Sequence, residues 1–271
     1  MRVLVVTAVA AERDAVTRAL GDVSEVPGAG LHRAAVAGGP CVVDVLAGGV
    51  GPAAAAAATA FALASAPRHG YGPDRSGPDR SGSDRSGSDR SGSGSMPGPD
   101  CAPYDLVVSA GIGGGFAPVA PVGSLVVASG IVAADLGAQT PEGFVPVTAL
   151  GFGRVRHVPP ASLVREVAAA TGAHPGEILT VSTVTGDAER AAALLAAHPR
   201  AAAEAMEGFG VAEAADRAGV PVLELRAVSN AVGPRDREAW RIGDALAALT
   251  GAFGKLVPVL EGWPHHDRNN A

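Results

Sequence analysis

Aromatic residues make up only 4% of this 271-residue chain, and it has just two cysteines, Cys41 and Cys101. These do not form a Cys-x-x-Cys pair and are too few for a disulfide framework, so each reads as a small core or loop residue. Positive charge is also in deficit. Lys and Arg number 21 against 27 Asp and Glu, a net charge of −6, which argues against attraction to nucleic-acid phosphates. No apolar run approaches the roughly 20 residues of a membrane span. The opening MRVLVVTAVAAERD carries one Arg and an apolar part at the short limit for a signal peptide, so a buried first strand explains it better. A cytoplasmic protein with neither nucleic acid nor membrane as a partner is expected.

What is present is small and apolar. Hydrophobic residues reach 47%, mostly Ala and Val, enough to bury a full core. Residues 73–92 read PDRSG, PDRSG, SDRSG, SDRSG, without a strongly apolar side chain. Such a stretch cannot bury enough surface to offset its ordering entropy. Residues 67–100 are therefore expected to be a disordered insert in a single domain spanning 1–263, with 264–271 a flexible tail. His265 and His266 in that tail suggest a metal, but no matching ligands are visible. Neither metal nor cofactor is expected.

Outside the insert, near-continuous apolar strands alternate with helical segments. RVLVVTAV, CVVDVLA, YDLVVSA, SLVVAS, ILTVSTVT and VPVLELRAVS read as strands. Residues 11–20, PAAAAAATAFALA, AERAAALLAAH, GFGVAEAADRAG and about 237–260 read as helices. The pattern predicts an α/β sheet covered on both faces, with ligands beyond the strand ends.

Five features stand at those ends: Glu12, the GGVG of 48–51, the GIGGG of 111–115, Glu207 and Asn230. Neither glycine run has P-loop spacing or a Gly-x-Gly-x-x-Gly fingerprint, and both are equally readable as strand-to-helix turns. Glu207 in AEAMEGFG is either an acid at a helix start or a carboxylate aimed into a cleft. Glu12 can be an ordinary acidic first turn, and Asn230 a turn or cap residue.

Taken in order, TAVAAERD, GGVG, SAGIGGGF, STVTGDA, AMEGFG and RAVSNAVG resemble the nucleoside phosphorylase and nucleosidase superfamily. The likeness covers the whole chain except the insert and tail. AMEGFG and LRAVSNAVGPRDREAWRIGDAL carry the specific similarity to a branch that hydrolyses a hypoxanthine nucleoside of menaquinone biosynthesis. The resemblance implies a three-layer αβα fold with a central mixed, mostly parallel sheet. It also implies a small-molecule purine nucleoside substrate and a homo-oligomer.

It assigns roles as well. Glu207 would hydrogen-bond the ribose hydroxyls, with Met206 packed on the sugar. Glu12 would position and deprotonate the attacking water. Gly49, Val50, Gly51 and Gly111 would bring backbone groups to sugar and purine, and Asn230 would face the base. Adenine-releasing relatives carry Asp at that place. An amide instead matches a 6-oxopurine, its NH2 to O6 and its oxygen to a protonated N7. The branch's substrate ends in an aryl carboxylate, for which Arg235 and Arg237 are candidates; a solvated loop and helix start is the other reading. A carboxylate at residue 12 suits water better than phosphate. A phosphorylase of 6-oxopurine nucleosides and an inactive nucleoside-binding protein are the alternatives.

Overall fold

A computed structural model describes residues 1–27, 30–35, 41–66 and 104–263. The expected insert at 67–100 and tail at 264–271, with His265 and His266, lie outside the described residues, as does Cys101. The elements run β1 (Arg2–Thr7), α1 (Ala10–Thr17), β2 (Val23–Val26), β3 (Leu31–Ala35), β4 (Val42–Ala47) and α2 (Pro52–Ser65). They continue with β5 (Leu106–Gly115), β6 (Leu125–Ala133), β7 (Gly137–Thr140), β8 (Gly143–Pro146), β9 (Arg156–His157) and α3 (Ala161–Thr171). Then come β10 (His174–Thr180), α4 (Ala188–Ala197), β11 (Ala201–Ala205), α5 (Gly208–Arg217), β12 (Val222–Ala231) and α6 (Ile242–Gly262).

The central sheet is mixed, in the order β11-β10-β6-β12-β5-β1-β4-β3-β2. Strands β4, β1, β5 and β12 are mutually parallel neighbours, and so are β6, β10 and β11. The two groups meet where β12 pairs antiparallel with β6. Helices cover both faces, as the strand alternation of side chains requires. Val3 and Val5 of β1 pack with α1, α3 and α6 residues such as Val16, Leu163 and Phe253. Leu4 and Val6 point the other way, to Ala55 and Leu63 of α2 and Val211 of α5. Helix α6 has the length and composition of a membrane span. Its face formed by Leu249, Phe253, Leu256 and Leu260 is instead buried in the core.

The αβα architecture matches the expectation, with corrections of detail. GIGGG is not a turn: β5 runs through it to Gly115, and β11 returns to pair with β5 at Ala203↔Gly115 and Glu204↔Gly114. The sheet thus closes on itself through β5, β12, β6, β10 and β11. The glycines permit the closure. A Cβ on Gly113 would lie 2.7 Å from the Glu204 carbonyl oxygen of the returning β11, and one on Gly115 would collide with the Ala120 carbonyl in the loop that leaves β5. The final helix starts at Ile242 rather than 237, because Arg237–Ala239 form only a single 3-10 turn. Strand β10 stops at Thr180, short of the expected STVT. The β2–β3 and β7–β8 hairpins and α3 carry no counterpart in the sequence reading.

Candidate active site

The C-terminal ends of β1, β5 and β12, the heads of α1 and α5 and the turn into α2 surround a cavity of about 390 Å³. Glu12, Val50, Met206, Glu207, Asn230 and Arg235 all contribute to its wall. Gly49, Gly51 and Gly111 are not part of that wall; Gly51 bonds Glu207 and Gly111 leaves space for Glu12.

Glu12 sits in the first turn of α1 and is only 4% exposed. One oxygen accepts the backbone N–H groups of Ala8 at 2.9 Å and Val9 at 3.2 Å, which fits an acid at a helix start. The other accepts the Ile112 N–H at 2.9 Å, across from β5. Glu12 thus binds the N–H groups at the start of its helix and also stands in the cavity wall. Gly111 makes room for it. A Cβ there would lie 2.5 Å from Glu12 Oε1 and 2.6 Å from Arg226 Nη1.

Glu207 precedes α5 and is 5% exposed. Its Oε1 accepts the Gly51 N–H at 3.1 Å. That N–H is presented by the GGVG turn, where Gly49 and Gly51 hold φ of 93° and 92°, values side-chain-bearing residues avoid. Its Oε2 meets Arg226 Nη1 at 3.2 Å. The sequence reading missed Arg226. The guanidinium spreads its nitrogens over four partners: Glu207, Glu224 Oε1 at 3.0 Å, the Ser109 hydroxyl at 3.1 Å and the Ile112 carbonyl at 3.5 Å. Burial works against its charge, yet Glu224, Glu207 and Glu12 together hold its pKa above the ordinary value, so it stays cationic.

Asn230 ends the functional stretch of β12, at a register shift against β5. Its Nδ2 donates to the Ala231 carbonyl at 3.0 Å, which fixes the amide orientation because a carbonyl can only accept. The Ser229 hydroxyl stands 2.8 Å from Oδ1 and 3.2 Å from the Gly113 carbonyl, and its one proton goes to the nearer acceptor, Oδ1. One N–H and one lone pair are left for a ligand.

Two further groups shape the wall. Glu204 of β11 accepts both the Thr185 N–H, at 2.8 Å, and the Thr185 hydroxyl, and so ties down the loop after β10. Arg235 lies with its guanidinium carbon 5.4 Å from the centre of the Trp240 ring. Arg237 approaches the same ring at 5.9 Å but does not line the cavity. Among the described residues no group of three or more His, Cys, Asp or Glu could hold a metal ion.

The arrangement can bind a polyol through a carboxylate, activate a water through a second one, and read a planar base edge with an amide. The fold and these elements are those of the phosphorylase superfamily, whose family model matches residues 2–257. A futalosine hydrolase of Streptomyces coelicolor is 60% identical over 271 residues, covering 99% of this chain and 100% of its own. The chain belongs to the phosphorylase superfamily and, within it, to the futalosine hydrolase family. Solved structures agree on the fold. The futalosine hydrolase of Helicobacter pylori superposes with a TM-score of 0.69 at 18% identity, over 95% of this chain and 97% of the other. A 5'-methylthioadenosine/S-adenosylhomocysteine nucleosidase of Colwellia psychrerythraea, bound to adenine, gives 0.68 at 23% identity, over 97% and 95%.

Proposed function

We propose that this protein hydrolyses the N-glycosidic bond of futalosine, releasing hypoxanthine and dehypoxanthine futalosine in menaquinone biosynthesis. The observation that carries this reading is the placement of Asn230 at the wall of the cavity that also holds Glu12 and Glu207, with one N–H and one lone pair uncommitted. Hypoxanthine offers an acceptor at O6 and, once protonated, a donor at N7, and the amide matches that pair.

The steps follow from the groups present. Glu207 accepts hydrogen bonds from the ribose hydroxyls, and Arg226 keeps it in place. The C1'–N9 bond breaks with its electron pair moving to the base, which takes a proton at N7 from solvent water and leaves bonded to Asn230; Glu12 later returns the proton it accepts to solvent, so the net reaction consumes one water. A water attacks C1' and gives its proton to Glu12. General-base assistance of this kind contributes typically 10²–10⁴-fold. Phosphate is disfavoured as the nucleophile. Arg13, the basic residue next to Glu12, is paired with Asp14 at 2.7 Å, and Arg226 is already held by carboxylates. At the far end of the substrate, Arg235 meets the benzoate carboxylate and Trp240 the aryl ring.

The reading extends to a cytoplasmic homo-oligomer whose single domain, 1–263, carries 67–100 as an insertion. The test of function is chromatography of futalosine incubated with the protein. Hypoxanthine should appear without phosphate, and inosine should be a poorer substrate. Strict phosphate dependence would establish a phosphorylase instead.

A further inference from the structure

Glu224 is a buried acid with no place in the steps above. It is 0% exposed and does not line the cavity. It shares a face of β12 with Arg226, two residues on, and lies opposite Ser109 of β5 in the sheet register. Its Oε1 takes the Nε–H of Arg226 at 3.0 Å, while its Oε2 has no hydrogen-bond partner. The head of α5 is built around it. A Cβ on Gly208 would lie 2.1–2.4 Å from the Glu224 carboxyl atoms, so only glycine fits between that acid and Glu207. The charged groups that reach Glu224 are Arg226 from its own strand and Glu207 from the start of α5. Glu12 is coupled to the same cluster through Arg226.

We propose that Glu224 is a positioning residue that holds Arg226 against Glu207 and Glu12, and that its protonation state sets how much of the arginine's charge those two carboxylates feel. This rests on the hydrolase reading. When Glu224 is ionised, it takes a share of the guanidinium charge. More of the negative charge of Glu207 and Glu12 is then left unshared, which favours a cationic ribosyl transition state. When Glu224 is neutral, the arginine's charge falls on Glu207 and Glu12 alone and offsets more of the negative charge that would stabilise that state. The carboxyl is placed to switch near neutrality. Burial raises it, Arg226 opposes the rise and Glu207 adds to it, leaving it at about 7.

The test is the pH dependence of kcat and KM for futalosine in wild type and Glu224→Gln, with folding checked by circular dichroism. In wild type kcat should rise with an ionisation close to pH 7. In Glu224→Gln that limb should vanish, with kcat at about pH 8 roughly tenfold lower, near a 1.4 kcal/mol loss, and KM within about twofold. A limb retained in the variant would overturn the proposal. Glu224→Asp keeps the charge but withdraws it from Arg226. It should lower kcat without changing KM, and wild-type kcat in that variant would also overturn it. The infrared difference between wild type and Glu224→Gln gives a readout independent of activity. It should show a protonated carboxyl band below pH 7 that fades above it, and no such band would count against the proposal even if the protein hydrolysed nothing. An inactive wild type that shows the band would overturn the hydrolase reading alone.

Discussion

Arg226 Nη1 lies 3.2 Å from Glu207 Oε2, with both side chains buried, and the remaining Glu207 oxygen is held by the Gly51 N–H. A buried carboxylate held this way has little freedom to follow a displaced partner. Removing Arg226 leaves Glu207 and Glu224 buried without their cation. Arg226→Gln is therefore expected to cost about 3–5 kcal/mol of stability as well as activity. Arg226→Lys should fall between, because an ammonium cannot serve Glu224, Glu207 and Ser109 in one plane. Denaturant titration and kcat for the two variants check the order.

Glu12→Gln should lower kcat by roughly 10²–10⁴-fold. The effect is not confined to the lost base. Both carboxylate oxygens accept backbone N–H groups, so the amide nitrogen of Gln must face at least one donor. A small loss of melting temperature should accompany the kinetic loss. Wild-type kcat in this variant would remove Glu12 from the mechanism.

Gly111→Ala tests the packing beneath the site. The added methyl would meet Glu12 Oε1 and Arg226 Nη1 at 2.5 and 2.6 Å, so one of them must move. Displacements of about 1 Å in a catalytic constellation can cost on the order of 10²-fold. That loss in kcat is expected, with KM less affected, and unchanged kcat would show that the two groups can shift without consequence.

Away from the cavity, Asp44 is fully buried and accepts from Arg2, Arg33 and the Tyr104 hydroxyl. Burial alone would raise its carboxyl, but these three partners outweigh that and hold it below the ordinary range. A lowered folded-state value stabilises the fold above the ordinary carboxylate range, and that stability is lost as pH falls through the lowered value. Asp44→Asn should then cost on the order of 3 kcal/mol near pH 7, with the gap to wild type closing only in strong acid. Unfolding curves at several pH values measure it.

Much of the candidate site is legible because chemistry-bearing residues stand at strand ends: Glu12 after β1, Glu207 after β11, Asn230 at the end of β12. Arg226 is not, because it lies inside VPVLELRAVS, a run that reads as an apolar strand. Its signal is present. Glu224 and Arg226 are two apart, so they share a strand face, and two opposite charges on one face of a buried strand imply an ion pair. The GIGGG run misled because glycine serves turns and close backbone approach alike. Only the return of β11 onto β5, a contact between residues distant in sequence, decides between them. The β7–β8 hairpin has short strands that are mostly half-buried or exposed, without the apolar runs that mark the central sheet.

Asn230 carries the central claim, that an amide selects a 6-oxopurine. In Asn230→Asp, an oxygen replaces the Nδ2 that now donates to Ala231 at 3.0 Å, so the acid either repels that carbonyl or must hold a proton near pH 7, above its usual range. Ionised, it also presents a lone pair to O6 of hypoxanthine. Asn230 is half-buried, and a bound base covering it would leave the mismatched group unpaired, so futalosine turnover should fall. The deciding measurement is the ratio of kcat/KM for futalosine to that for its 6-amino analogue, in wild type and Asn230→Asp. The ratio should favour futalosine in wild type and move toward the 6-amino substrate in the variant. A ratio that stays where it was would mean that Asn230 does not read the base.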